Sequence, residues 1–199
     1  MNLENKIALI TGAGSGIGKA IALEMAKAGA HIAINDLTSK PAEITAKEVE
    51  TLGRDTLVIP ADVADPTQVN DMVQQTLDRF NRIDILVNNA GIYIPQDGGF
   101  TDITDEAWQR ILNVNLNGPF YCSRAVVKDM MTRKQGGKII NISSVQAEVA
   151  HFDASAYQPS KAAVVMLTRT LAVELAPYKI NVNAIGPGAI ASEGMGASL

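Results

Sequence analysis

Short apolar runs alternate with longer amphipathic segments from one end of the chain to the other. The runs are Lys6–Thr11, Ala30–Asn35, Thr56–Pro60, Ile83–Val87, Lys138–Ile142 and Ile180–Ile185. Several are rich in Ile and Val and apolar at consecutive positions, the pattern of strands buried on both faces of a sheet. The segments between them, Ile17–Ala28, Pro41–Leu52, Pro66–Phe80, Asp105–Met131 and Ala156–Ala176, have the length and spacing of helices. Pro41 and Pro66 sit at helix starts, where a missing N–H is tolerated, and Pro177 sits where the last helix should stop. No repeat, low-complexity tract or linker divides the sequence, so residues 1–199 are read as a single domain.

Six strands, each followed by a helix until the last, predict an α/β fold with a doubly wound parallel sheet covered on both faces. The expected strand order is 3-2-1-4-5-6, with ligands at the carboxyl ends of the strands. The tips after Thr11, Asn35, Pro60, Val87, Ile142 and Ile185 are therefore where chemistry is sought.

Composition narrows the classes. The chain has 199 residues, enough for a core that needs no disulfide or metal to hold it. A single cysteine, Cys122, cannot form an internal disulfide, and with two histidines it leaves zinc short of ligands, so no metal site is expected. The net charge of −4, from 17 basic and 21 acidic residues, argues against nucleic acid as a partner. The N-terminus lacks a basic stretch followed by a long apolar run, and no apolar stretch reaches the roughly 18–20 residues of a membrane span. A soluble, cytoplasmic protein with no membrane partner is the expectation.

The first tip reads Thr11-Gly12-Ala13-Gly14-Ser15-Gly16-Ile17-Gly18. Glycines here allow a tight turn and let backbone N–H groups at a helix N-terminus approach a pyrophosphate. The cluster alone is equally compatible with a plain strand-to-helix turn. A phosphate-binding P-loop fails, because Ala20 follows Lys19 where a Ser or Thr for magnesium is required. Asp36 closes the second strand twenty residues beyond Gly16, the distance at which a carboxylate accepts hydrogen bonds from an adenosine ribose. It would repel a 2′-phosphate, so NAD is expected in preference to NADP. Taken alone, Asp36 reads equally as a solvated loop carboxylate.

Tyr157 and Lys161 stand four apart, on one face of a helix. A free phenol, with a pKa near 10, is a poor acid or base at neutral pH; a nearby ammonium favours the phenolate and brings it into a useful range. Pro159 biases Gln158 away from helical angles, so the helix should begin close to Tyr157, with Ser155 and Gln158 offering a capping box.

In chain order the sequence carries Thr11-Gly12-x-x-x-Gly16-Ile17-Gly18, Asp62-Val63, Asn88-Asn89-Ala90-Gly91, Asn115, Ser144 and Tyr157-x-x-x-Lys161. With these motifs the chain resembles the short-chain dehydrogenase/reductase superfamily, from Lys6 to about Ser192. The resemblance implies a Rossmann-like fold and an oxidoreductase that moves a hydride between nicotinamide and a secondary alcohol or its ketone. It selects Ser144, thirteen residues before Tyr157, over Ser143. By the same resemblance Tyr157 transfers the proton, Lys161 lowers its pKa and holds the nicotinamide ribose, Ser144 hydrogen-bonds the carbonyl, and Asn115 anchors a relay water. The cofactor would lie against Gly12, Ser15, Gly16, Ile17, Gly18 and Asp36, then Asp62 and Val63 at the adenine. Asn88, Asn89, Ala90 and Gly91 would flank it, and Gly186, Pro187, Gly188 and Ile190 would approach the nicotinamide. Ile142-Ser143-Ser144-Val145 and the stretch from Asn183 to Ile190 are most similar to the glucose 1-dehydrogenase branch, which implies a sugar or polyol substrate.

Other residues get plainer expectations. Cys122 reads as core, His31 as strand packing, and Trp108, spaced with Ile111 and Leu112, as a cover for the sheet. Gln146–Asp153 should border the substrate, where His151 or Glu148 could touch it. Family members usually continue past the Pro-Gly turn with a substrate-covering segment, a helix and a seventh strand, whereas eleven residues follow Gly188 here. A second reading therefore stands beside the enzyme: an NAD(H)-binding protein with little turnover, its pocket uncovered. The helices around Ala125 and Ala163 would, by resemblance, pair with their copies in a homo-oligomer.

Overall fold

A computed structural model of the chain describes residues 2–95 and 99–191. The expected α/β architecture is present. The strands are β1 (Ile7–Ile10), β2 (His31–Asp36), β3 (Thr56–Pro60), β4 (Ile85–Asn88), β5 (Gly137–Ile142) and β6 (Ile180–Ile185). They form one parallel sheet in the order β3-β2-β1-β4-β5-β6. Every residue of β1 and β4 is buried, as consecutive apolar positions require when helices cover both faces. Order reverses between β1 and β4, where Ala8, Leu9 and Ile10 pair with Ile85, Leu86 and Val87.

The helices are α1 (Gly16–Lys27), α2 (Ser39–Thr51), α3 (Pro66–Phe80), α4 (Asp105–Leu112), α5 (Gly118–Arg133) and α6 (Tyr157–Leu175). One apolar layer places Ala22, Met25 and Ala26 of α1 and Ala42, Ala46 and Val49 of α2 against one side of the sheet. The other packs Val69, Met72 and Val73 of α3 and Cys122 and Val126 of α5 against the opposite side. Helix α3 begins as its sequence dictates: Pro66 opens it, and Asp65 accepts from the backbone N–H of Thr67 and Gln68. No helix among the described residues is long and apolar enough to cross a membrane.

Three details depart from expectation. The single helix expected over Asp105–Met131 is α4 and α5 joined by a π-helical turn, Asn113–Asn117. The Ser155/Gln158 capping box does not form. Ala156 is the N-cap of α6 without a side-chain cap, and Gln158 Nε2 instead donates to the His151 carbonyl. Trp108 lies more than a third exposed rather than covering the sheet. His31 matches its packing role, with Nδ1 accepting from the Asp55 amide and its ring tilted against Phe80.

Candidate active site

The glycine turn is built by close approach. Gly12 and Gly16 adopt positive φ (61° and 54°), which glycine reaches without penalty. Gly18, in the first turn of α1, lies so close to the glycine turn that a Cβ there would overlap the Gly12 carbonyl oxygen and the Asn89 amide. Asn89 uses that contact: its Nδ2 donates to the carbonyls of Thr11 and Gly12, each at 2.9 Å. In return Thr11 Oγ1 accepts from the backbone N–H groups of Asn89 and Ala90, each at 3.0 Å. Asn89 thus staples the tip of β1 to the tip of β4, and its side chain is occupied by the protein. Asn88, one residue earlier, points into the core, donating to Asn141 Oδ1 and Ser123 Oγ.

Asp36 stands at the carboxyl end of β2 beside the turn. Its Oδ2 accepts from Gly14 N–H at 2.9 Å and its Oδ1 from Leu37 N–H at 2.8 Å. The carboxylate is therefore fixed in place next to the glycine backbone. Asp62 follows β3 and forms an ion pair with Arg110 of α4 at 2.8 Å. Val63 is buried and packs where a Cβ on Gly118 would strike it.

Four expected residues meet at the tips of β4 and β5 and the start of α6. Ser144 follows β5, and its Oγ accepts from Gln146 N–H. Tyr157 is the first residue of α6 and hydrogen-bonds Ser144, which lowers the phenol pKa, but burial is the larger influence and pushes it above its ordinary value. Lys161, one turn later, is buried; its Nζ donates to the Ile142 carbonyl at 2.9 Å and lies 5.6 Å from the Tyr157 ring centre. Burial lowers the lysine pKa to about 8. Burial dominates both groups and moves them in opposite directions, the phenol up and the ammonium down.

Asn115 occupies the centre of the π-turn. Its Oδ1 accepts from Ile92 N–H (2.8 Å), and its Nδ2 donates to the Ile92 carbonyl (2.9 Å) and to Ser160 Oγ (3.1 Å). It holds the strand-β4 loop from both sides and ties it to α6. A Cβ on Gly91 would sit 3.2 Å from Lys161 Nζ and 3.4 Å from Asn115 Oδ1, so Gly91 borders both.

The loop after β6 closes the group. Val145 N–H donates to the Pro187 carbonyl, and Gly186 lies against the backbone of Ser144. A groove of about 850 Å³ brings Gly16 and Ile17 together with Pro187 and Ile190, then runs along the outer face of α1. Among the described residues, nothing lies within 4 Å of where a Cβ on Gly188 would sit. Ser192, where the resemblance ends, lies outside the described residues.

The sequence profile of the short chain dehydrogenase family matches residues 6–198. The chain belongs to the short chain dehydrogenase family. It is 41% identical over 190 residues to the (2S)-[(R)-hydroxy(phenyl)methyl]succinyl-CoA dehydrogenase subunit BbsD of Thauera aromatica, covering 96% of this chain and 75% of that protein. Among solved structures it is similar to a short-chain type dehydrogenase/reductase from Mycobacterium marinum, with a TM-score of 0.91 and 41% identity. That match covers 94% of this chain and 76% of the other. It is also similar to carveol dehydrogenase from Mycobacterium avium in complex with NAD, with a TM-score of 0.89 and 31% identity over 94% of this chain and 71% of that one. As a short chain dehydrogenase the protein is an oxidoreductase of a family that binds nicotinamide cofactors.

Two residues of this short chain dehydrogenase escape sequence reasoning. Arg110 reaches Asp62 across 48 residues of chain, and no local pattern announces the pairing. Tyr93 packs edge-to-face with Tyr157, the ring centres 5.7 Å apart, and its hydroxyl donates to the Asp153 carbonyl at 2.7 Å. A tyrosine directly after Asn88–Ile92 was the available signal.

Proposed function

We propose that the chain is an NAD-dependent oxidoreductase interconverting a secondary alcohol and its ketone, with Tyr157 as the proton donor and acceptor. The observation that carries this reading is the convergence of Ser144, Tyr157, Lys161 and Asn115 on one site beside the glycine turn. The residues present fit a dinucleotide: glycines at 12, 16 and 18 leave no Cβ in the cradle, and a helix N-terminus follows it. Ser15 and Ile17 line that cradle, and Ala90, Gly91, Pro187, Gly188 and Ile190 border the nicotinamide end.

The carboxylate of Asp36, already fixed by the Gly14 and Leu37 amides, suits the ribose hydroxyls of NAD and disfavours a 2′-phosphate. Support also comes from the carveol dehydrogenase structure, which holds NAD. Asp62, held by Arg110 at 2.8 Å, and Val63 would serve the adenine end.

A bound nicotinamide cofactor supplies or takes up the hydride. The chain's own residues handle the rest. Ser144 donates to the substrate oxygen and orients it, and Tyr157 delivers a proton to that oxygen or removes it. Lys161, with a pKa of about 8, changes protonation near physiological pH and so is suited to pass a proton onward. Asn115 fixes the Ile92 backbone and keeps Ser160 and the start of α6 in register with it, so that tyrosine and lysine keep their spacing. The homo-oligomer expected through α5 and α6 belongs to the same proposal.

The deciding experiment pairs calorimetric titration of NADH and NADPH with turnover over a panel of secondary alcohols. NADH binding more tightly than NADPH, with turnover lost in Tyr157→Phe at unchanged cofactor affinity, is the expected result. NADPH binding more tightly refutes the role of Asp36. NADH binding without turnover across the panel favours the nucleotide-binding reading instead.

A further inference from the structure

The oxidoreductase reading leaves the substrate open, and the residues bordering Ser144 and Tyr157 narrow it. We propose that the substrate is a secondary alcohol or ketone whose carbonyl carbon bears an apolar ring or chain, held between Tyr93 and Phe152, and not a sugar or polyol. The proposal rests on the reading above for the location of the reacting oxygen.

The segment between Ser144 and Tyr157 carries bulky apolar side chains in solvent. Val145 is 47% exposed, Val149 59% and Phe152 78%, and Phe100 on the facing loop is 75% exposed. Exposed apolar side chains scattered singly are ordinary, but Val145, Val149 and Phe152 lie on one short segment joining Ser144 to Tyr157, with Phe152 against Gly99 beside Phe100, a surface suited to an apolar partner. The edge-to-face contact of Tyr93 with Tyr157 places the Tyr93 ring next to the phenol.

The tyrosine's own hydroxyl is committed. It donates to the Asp153 carbonyl at 2.7 Å and to Asp153 Oδ2 at 3.2 Å, so what it offers a substrate is the ring. Asp153 has a left-handed backbone (φ 64°), and the Tyr93 bond pins that turn immediately after Phe152. The far edge of the Phe152 ring rests against Gly99, whose missing Cβ would lie 3.6 Å from Phe152 Cζ. Phe152 is thus anchored at both ends of its local structure while most of its surface stays open.

Two polar side chains of the segment, His151 and Asp153, are turned to internal use. Gln158 Nε2 donates to the His151 carbonyl, and His151 Nδ1 lies 2.7 Å from the Phe152 carbonyl. Between Val145 and Ala156 there is no lysine or arginine, and the ionisable carboxylates are Glu148 and Asp153. An anionic group beside the carbonyl is recognised by a cation, which the segment lacks, and a polyol by convergent side-chain donors and acceptors, of which His151 and Asp153 are already bonded within the protein. An apolar substituent needs neither.

The test uses the full chain with NADH and two probes, acetophenone and sorbitol. Saturable quenching of NADH fluorescence by acetophenone is expected, with sorbitol without effect. Phe152→Ser and Tyr93→Ser should each weaken acetophenone about tenfold or more, the range for losing one apolar contact in a pocket, at unchanged NADH affinity. In turnover of 1-phenylethanol the loss should fall on KM more than on kcat. Sorbitol binding or turning over as well as the aromatic pair overturns the proposal, as does acetophenone affinity within twofold of wild type in both variants. Saturable acetophenone binding with no turnover of it or of any alcohol in the panel upholds the apolar contact while removing Tyr157 from its proton-transfer role, so the two failures are separable.

Discussion

Replacing Asn89 tests the joint on which the cofactor turn depends. Its side-chain amide makes two 2.9 Å hydrogen bonds, to the carbonyls of Thr11 and Gly12, across the β1–β4 boundary where strand order reverses. Asn89→Ala deletes both donors and leaves two part-buried carbonyls short of a partner. Each bond is worth about 1 kcal/mol net, and each orphaned group costs about 1–3 kcal/mol where water cannot reach it, so the loss should be about 2–4 kcal/mol. Asn89→Asp keeps the shape but turns a carboxylate oxygen toward two carbonyl oxygens, so it should be the worse of the two. Thr11→Val removes the reciprocal bonds from the backbone N–H groups of Asn89 and Ala90. Because both changes break one joint, the double variant should lose less than the two single losses added together. Urea denaturation of the wild type and the four variants gives the stabilities, and NADH titration should show weakened affinity, since the loosened turn must be ordered on binding. A loss below about 0.5 kcal/mol in Asn89→Ala, the level of an unremarkable surface change, would refute the reasoning.

Other outcomes follow from single sites. Gly18→Ala places a methyl on the Gly12 carbonyl, a backbone group that cannot rotate away, and should cost about 3 kcal/mol; Gly188→Ala, with open space, sets the zero in the same thermal melts. Lys161 titrates near 8 when folded and at 10.5 when free, so below about 8 the buried ammonium destabilises the fold, and the penalty fades as pH rises toward 10.5. The depression is worth about 3 kcal/mol, so wild type should gain on Lys161→Met between pH 7.5 and 9.5, below the tyrosine range; a flat difference sinks the argument. Cys122 is fully buried with its thiol pushed up to about 12, and should resist thiol reagents at pH 8 until urea unfolds the chain; prompt native labelling would contradict its placement.

The sheet was legible because runs such as Ile83–Val87 are apolar on consecutive positions, and only burial on both faces selects that pattern. The glycine turn was legible for a similar reason, since close backbone approach at Gly18 admits one residue type. What stayed hidden lies in through-space pairing. The Arg110–Asp62 ion pair and the Tyr93–Asp153 bond join residues 48 and 60 positions apart, and either partner reads locally as an ordinary polar residue. The capping box at Ser155 and Gln158 misled because the His151 carbonyl competes for the glutamine amide, a partner that exists only once the loop has folded. Hydrophobic spacing also missed the break within Asp105–Met131, since apolar residues continue on both sides of it.

That break changes how residues should be counted along the chain. A π-turn bonds each residue to the fifth rather than the fourth before it, so Asn113–Asn117 holds one more residue than an α-helix of the same span. The apolar stripe of α5 is consequently out of phase with that of α4 by about one residue's rotation, roughly 100°. Deleting any one residue there would allow an uninterrupted helix, more regular and better hydrogen-bonded, yet would swing Asn115 away from Ile92 or α5 away from the sheet. A shortened loop elsewhere trims the molecule; here a single codon acts as a shim that sets the angle between two halves of a rod.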